Sequence, residues 1–115
     1  MFEKDLRMAP LLDIYGALLD ERPRLLLELY YNRDLSLSEI ADEVGISRQG
    51  VRERIKKAEE ELAFFEARLS LFKREQEIRA AGGRLLELAG GDPALAAAVT
   101  ALLHAALGEE KNGVC

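Results

Sequence analysis

The sequence predicts an all-α protein: a helix-turn-helix followed by a long fourth helix and a C-terminal helical extension. Apolar residues recur at spacings of three and four along almost the whole chain, as on one face of a helix. Alternating strand patterns are absent, and near residue 45 a glycine separates two segments that carry helix-capping residues. Together these observations favour a helical core with a sharp turn in it.

Composition limits the chain to one small domain, or to a domain with an appendage. It has 115 residues, 49% hydrophobic and 32% charged, as is typical of globular proteins. No run approaches the roughly 18–20 uncharged apolar residues of a membrane span, and no signal peptide is evident. A cytoplasmic protein is therefore expected. The chain has one cysteine, Cys115, and one histidine, His104. These are too few for a disulfide framework or a zinc site, so we expect no metal, cofactor or catalytic residue.

Two helices are predicted before the turn. The first runs from Pro10, suited to a first helical turn, to Leu19. The second is capped by Asp20 and reaches about Asn32. Their apolar stripes are Leu11, Leu12, Tyr15, Leu18 and Leu19 in the first helix, and Leu25, Leu26, Leu29 and Tyr30 in the second.

The helix-turn-helix is predicted from capping signals. Ser36 followed three residues later by Glu39 forms a capping box, so a third helix starts at Leu37. Gly45 ends it after Val44, because glycine adopts the left-handed backbone conformation without strain. Ser47 then caps a fourth helix that begins at Arg48.

The fourth helix has no clear stop before about residue 81, which gives it a length of roughly 50 Å. Two apolar series recur in it every seven residues, as in a heptad repeat. They are Ile55, Leu62 and Leu69, and Ala58, Phe65 and Phe72. Such a helix outreaches a core of about 50 residues. We expect helix packing or a dimer contact through Leu62, Phe65, Leu69 and Phe72, with a homodimer favoured over packing against residues 84–107.

The C-terminal part contains one further distinct helix. Asp92 is its predicted N-cap, Pro93 its first residue, and it runs to about Leu107 before Gly108. The predicted organisation is a helix-turn-helix domain over residues 1–57, the long helix and C-terminal helices with dimerisation over 58–108, and a flexible tail over 109–115.

Positive charge is concentrated on the second helix of the motif. The chain has a net charge of −5, but five basic residues against Glu53 give residues 46–57 a net charge of +4. Arginine and glutamine match the edges of guanine and adenine, so Arg48, Gln49 and Arg52 are the candidate base contacts. Helix N-termini and cations bind phosphate. The candidate phosphate contacts are Ser36, Ser47, Arg54, Lys56 and Lys57.

Residues 35–49 resemble region 4 of bacterial sigma factors. More closely, residues 12–73 resemble the YlxM family of small bacterial helix-turn-helix proteins. The matching stretches are residues 15–19, 29–31, 36–39, 47–49 and 71–73. The resemblance implies a DNA-binding regulator, encoded beside genes of the signal recognition particle, with components of that particle as partners. At position 50 this chain has glycine where the family has a small helix-forming residue such as alanine, and the resemblance rests on no residue after about 83.

Two other interpretations remain open at this stage. The basic block is also typical of a solvated helix face. A helix-turn-helix scaffold can serve instead as a protein- or RNA-interaction module that acts directly on the signal recognition particle machinery, without DNA binding. The acidic remainder of the chain and the heptad stripe favour that alternative.

Overall fold

Six α-helices form the chain in this computed structural model, which describes residues 4–108, where every regular element is helical. The predicted all-α class is confirmed. The helices are α1 (Met8–Tyr15), α2 (Glu21–Leu27), α3 (Leu37–Val44), α4 (Arg48–Leu69), α5 (Leu71–Ala89) and α6 (Pro93–Leu107). A 3₁₀ turn (Gly16–Leu18) follows α1, and a π-helical turn (Glu28–Asn32) follows α2. The chain divides into two compact units, residues 1–72 and 73–115.

In the first unit, α4 is the central helix and packs against α1, α2 and α3. Its buried positions are Val51, Ile55, Ala58 and Leu62, three or four residues apart, so they form one stripe along the helix. The core around this stripe comes from the apolar faces of the three shorter helices and from Tyr15 and Tyr30. Packing on three sides is what holds the N-terminal half of α4 in place.

The first two helices are shorter than predicted. The backbone tightens into the 3₁₀ turn after Tyr15, which leaves Leu18 58% exposed while Leu19 is buried. Three residues per turn replace 3.6 there, so the helical stripe does not continue through Leu18. After α2 the backbone widens instead: the Arg33 N–H donates to the Glu28 carbonyl at 3.0 Å. Leu25, predicted in the stripe, is 45% exposed, and Asp20 stands at the N-cap without a side-chain hydrogen bond.

The predicted continuous helix from Arg48 to about residue 81 is wrong. Helix α4 ends at Leu69, because Ser70 adopts a left-handed backbone conformation with φ +55°, and α5 starts at Leu71. Side chains from α1 and α4 accept hydrogen bonds from the first two backbone N–H groups of α5. The Leu71 N–H donates to the Tyr15 hydroxyl at 3.0 Å, and the Phe72 N–H donates to Glu66 Oε1 at 3.1 Å.

The four residues predicted to make helix-packing or dimer contacts differ in burial in the structure. Leu62 is fully buried within its own chain, and Phe65 and Phe72 pack against the same core. Only Leu69 is substantially exposed, at 51%. Because the Leu62 side chain has no exposed surface, a second chain cannot contact it. Three of the four predicted contacts are therefore used within the first unit's core, and a dimer contact stays a prediction.

The second unit is a pair of helices. Helix α5 continues through Gly82 and Gly83 to Ala89, and α6 follows after a short turn. The Asp92 side chain accepts from the Ala94 and Leu95 N–H groups at 3.0 and 3.1 Å, which confirms the predicted N-cap. Gly108 ends α6 with φ +72°. The tail predicted over residues 109–115 lies outside the described residues.

Candidate nucleic-acid interface

The first helix of the motif begins with the predicted capping box. The Ser36 hydroxyl accepts from the Glu39 N–H at 3.1 Å, and the Ser36 N–H donates to Glu39 Oε1 at 2.8 Å. These two bonds satisfy two N–H groups that a helix start would otherwise leave unpaired. They also place the Glu39 carboxylate at this N-terminus. Ser36 therefore retains its hydroxyl proton for a phosphate, while Glu39 already occupies part of the anion-binding end.

The turn between the helices has the geometry that the sequence predicts. Gly45 ends α3 with φ +77°, and its N–H donates to the Ala41 carbonyl at 2.9 Å. A side chain at position 45 would meet no atom within 4 Å, so glycine is required by the backbone conformation and not by space. Ile46 packs against the core, and the Ser47 hydroxyl accepts from the Gly50 N–H at 2.9 Å.

Val51 and Ile55 anchor the second helix of the motif, and neither has any exposed surface. Because these anchors lie on one side of α4, the charged positions between them face solvent. The predicted base contacts Arg48, Gln49 and Arg52 are all exposed. So are the predicted phosphate contacts Ser36, Ser47, Arg54, Lys56 and Lys57.

The centre of the exposed face carries opposite charges. At roughly 100° per residue, Gln49 and Glu53 lie farthest from the buried stripe among residues 48–57, and Lys56 and Lys57 lie about 50° to either side of that direction. Gln49 Nε2 donates to Glu53 Oε2 at 3.2 Å, a bond between successive turns. The amide that would pair with adenine is thus held by a carboxylate on the same face. The Glu53 carboxylate can only accept hydrogen bonds, so the base group that it can bind is a donor such as the amino group of cytosine.

Arg48 lies on one flank of this face. It borders an open groove of about 480 Å³ that the N-terminus of α3 also lines, through Ser36 and Ser38. The structure therefore places one predicted base contact and one predicted phosphate contact around the same groove. Lys4, Asp34 and Glu39 also line this groove, so its charge is mixed.

Arg54 and Lys57 lie on the opposite flank, towards α2. They border a second groove of about 450 Å³, together with Arg22, Asp20 and Glu61. Arg22 was not among the predicted contacts, because it lies 32 residues before Arg54 in the chain and only packing brings the two to one groove. Three cations therefore share this flank with two carboxylates.

A tyrosine–carboxylate pair that no sequence pattern predicts lies just after the basic block of α4. The Tyr31 hydroxyl donates to Glu59 Oε2 and accepts from the Asp5 N–H at 3.3 Å. Partial burial raises the pKa of Glu59, although the Tyr31 bond lowers it in part. Burial and the Glu59 carboxylate raise the pKa of Tyr31. This pair ties the end of α2 to α4 behind the exposed face.

Within residues 4–108, no three His, Cys, Asp or Glu side chains are grouped so as to hold a metal ion. In that same part of the chain, no helix combines the length and the apolar composition needed to span a bilayer.

Comparisons with known proteins agree with the geometry of the motif. The UPF0122 family, described as "Putative helix-turn-helix protein, YlxM / p13 like", matches residues 2–87. A UPF0122 protein of Thermoanaerobacter sp. is 52% identical over 71 residues, 62% of this chain and 61% of the relative. The alignment thus spans about three fifths of that relative.

Two relatives from Bacillus extend the coverage. A UPF0122 protein of Bacillus licheniformis is 40% identical over 100 residues, 87% of this chain and 94% of the relative. The UPF0122 protein YlxM of Bacillus subtilis is 43% identical over 89 residues, 77% of this chain and 81% of the relative. Each of these two alignments covers more than two thirds of this chain and of the relative.

Proposed function

Because the chain belongs to the UPF0122 family of YlxM- and p13-like helix-turn-helix proteins, we propose that it is a DNA-binding regulatory protein that reads duplex DNA with the exposed face of α4. The observation that carries the proposal is the net charge of +4 over residues 46–57, on the second helix of the motif. In helix-turn-helix proteins this helix enters the major groove.

The proposed roles follow from position on α4. Arg48, Gln49 and Arg52 lie in its first two turns, the part of such a helix that reaches base edges. Arg54 and Lys57 lie on the α2 flank, where they suit a phosphate strand beside the groove. Lys56 completes the cationic surface. Ser36 and Ser47 offer hydroxyl protons and helix N-termini to the backbone phosphates.

The local charge is small for a DNA-binding protein. One chain carries five cations in the block, while its net charge of −5 repels phosphate elsewhere. Two copies would double the contacts and place two α4 helices on half-sites about one helical turn apart. We therefore infer a homodimer as the DNA-binding species.

Substitution of Arg48 tests the proposal. Arg48→Ala is expected to weaken binding to a cognate fragment by about fivefold or more, because a bidentate base contact is worth about 1–3 kcal/mol. The fragment is first selected from sheared genomic DNA, including the protein's own promoter, and affinity is then measured by fluorescence anisotropy at fixed salt. Arg74→Ala, which removes the same charge at an exposed position of α5, is the control.

Equal affinities for wild type and Arg48→Ala would remove Arg48 from the base contacts. Failure of the wild-type protein to retain any genomic fragment at low salt would refute DNA binding as a whole.

A second candidate function is a protein- or RNA-interaction module of the signal recognition particle machinery. The bond between Gln49 and Glu53 favours it, because this bond occupies the amide at the centre of the face and adds a carboxylate that repels phosphate. Retention of particle components on the immobilised protein in the presence of excess duplex DNA would support this candidate. Their displacement by DNA would support the first.

A further inference from the structure

Helix α6 has an unusual composition for a helix that is mostly exposed. Its 15 residues contain no Asp, Glu, Lys or Arg, and Val99 is its one buried residue. Thr100 and His104 are its only polar side chains, and a helix that is apolar on most sides is normally covered by other protein. Leu95 and Leu102 are nevertheless 48% and 61% exposed.

The contact between α5 and α6 buries little. Leu103 of α6 lies directly over Gly82 of α5, where an added Cβ would be 2.3 Å from Leu103 Cδ2. Gly82, Ala89 and Val99 are the residues of 73–108 that become buried. Two helices that share so small a core gain little stability from packing on each other. Further apolar burial would stabilise this unit.

The exposed leucines of the two helices share one face. Leu85 and Leu88 lie about a quarter-turn from the side of α5 that carries Gly82, and Leu95 and Leu102 lie about a quarter-turn from the Leu103 side of α6. In an antiparallel pair with Gly82 opposite Leu103, both quarter-turns point the same way. We call this surface the leucine face; its members are Leu85, Leu88, Leu95 and Leu102, which are 45%, 82%, 48% and 61% exposed.

We propose that the leucine face binds the leucine face of a second copy of this chain. Two hairpins related by a two-fold axis would form a four-helix bundle with one apolar core. Two helices side by side present a surface about 20 Å wide, and 15 residues give a length of about 22 Å. Such a footprint, about 440 Å² on each chain, is at the small end of specific protein interfaces, so the dimer is expected to dissociate on dilution.

Composition favours a second copy over a different partner. The four leucines of the face and the whole of α6 carry no charge, so they offer no electrostatic match to nucleic acid, to an acidic or basic peptide, or to a lipid headgroup. An isologous interface needs a patch that complements itself, and uncharged Leu and Ala surfaces do so. Ala98 and Ala105, both exposed, lie beside Leu102, where small side chains let a facing leucine insert.

This surface differs from the one that the heptad spacing predicted. Leu62, Phe65 and Phe72 are engaged in the first unit, whereas the leucine face is carried wholly by residues 85–102. For its biological role the inference rests on the proposed DNA-binding homodimer. The association itself requires no DNA and can be measured without it.

The test measures mass on the full-length protein by sedimentation equilibrium over a concentration series. Wild type is expected at twice the chain mass of 12.8 kDa. Leu88→Glu and Leu102→Glu are each expected to weaken the dimer at least about tenfold, because a charge enters a buried apolar contact. Leu102→Ala keeps the helix-forming tendency and is expected to shift the equilibrium in the same direction.

Matched controls come from the first unit. Leu6→Glu and Leu18→Glu introduce the same charge at leucines that are 79% and 58% exposed, and both are expected to remain dimeric. A monomeric wild type at the highest concentration would overturn the proposal. So would leucine-face variants that stay dimeric, or controls that dissociate as far as those variants do. A dimer that binds no DNA would refute the proposed function alone, and a DNA-binding monomer would refute this inference alone.

Discussion

Glu59 is the residue at which local electrostatics and packing oppose each other most clearly. Its carboxylate accepts from Tyr31, which favours the charged form, yet its partial burial dominates and raises its pKa. The folded state therefore binds a proton more readily here than the unfolded chain does. The contribution of this group to stability is greatest below the ordinary pKa of 4.5 and is lost as the pH rises through the raised value.

Glu59→Gln is expected to remove that pH dependence, because glutamine can still accept from Tyr31 but does not ionise. As the pH rises from about 4 to about 7, the free energy of unfolding of the variant should increase relative to that of wild type. Urea denaturation at a series of pH values measures the difference. The neighbouring exposed Glu60→Gln is the control, and an equal trend in the two variants would contradict the role of burial.

At the scale of elements, the junction between α4 and α5 depends on a contact over a long sequence distance. The Tyr15 hydroxyl donates to Glu66 Oε1 at 2.5 Å across 51 residues, while the Leu71 and Phe72 N–H groups bond to this pair. Tyr15 is only 1% exposed, and its ring lies 5.9 Å from that of Phe65. The pair thus takes the place of an N-cap side chain for α5.

Tyr15→Phe is expected to destabilise the protein by about 1–3 kcal/mol, because it leaves the Leu71 N–H without its buried acceptor. Chemical denaturation measures the loss, and hydrogen exchange should show reduced protection at Leu71 relative to amides in the middle of α4. Unchanged protection at Leu71 would show that the hydroxyl does not hold the junction.

The paired glycines of α5 offer a matched test of the α5–α6 contact. Gly83→Ala is expected to stabilise the helix by about 0.5–1 kcal/mol, because nothing lies within 4 Å of the added methyl group. Gly82→Ala is expected to destabilise by about 1–3 kcal/mol, because its methyl group would overlap Leu103. Thermal unfolding of both variants measures the difference; similar effects at the two positions would contradict the close helix approach.

For the whole molecule, the proposed DNA binding predicts a dependence on salt that the basic block of residues 46–57 sets. If Arg54, Lys56 and Lys57 each neutralise one phosphate, the logarithm of the binding constant should fall with the logarithm of salt with a slope of about −3 per chain. A homodimer on DNA should show about twice that slope.

Arg54→Gln combined with Lys57→Gln is expected to reduce the steepness by about 2 per chain, because two phosphate contacts are lost. Titrations of one DNA fragment at several salt concentrations measure the slope. Lys73→Gln combined with Arg74→Gln changes the net charge equally outside the motif. An identical slope for the two double variants would show that net charge, and not the α4 flank, governs binding.

Local signals in the sequence were sufficient for the helix-turn-helix. The capping box of Ser36 and Glu39, the left-handed Gly45 and the cap at Ser47 all formed as predicted, and so did the cap at Asp92. Each of these features involves groups no more than four residues apart, so the neighbouring chain contains all the atoms they need. The outward positions of the α4 cations followed as well, since helical spacing and two apolar anchors define them.

Only the tertiary structure decided the rest. The break at Ser70 is stabilised by Tyr15 from another helix, the buried stripe of α4 depends on the three helices that pack around it, and a Cβ added at Gly82 would overlap the Leu103 side chain. Such contacts join residues up to 56 positions apart. A continuous helix and a broken one satisfy the same local preferences, so the difference arises from long-range packing and hydrogen bonding that a linear pattern does not contain.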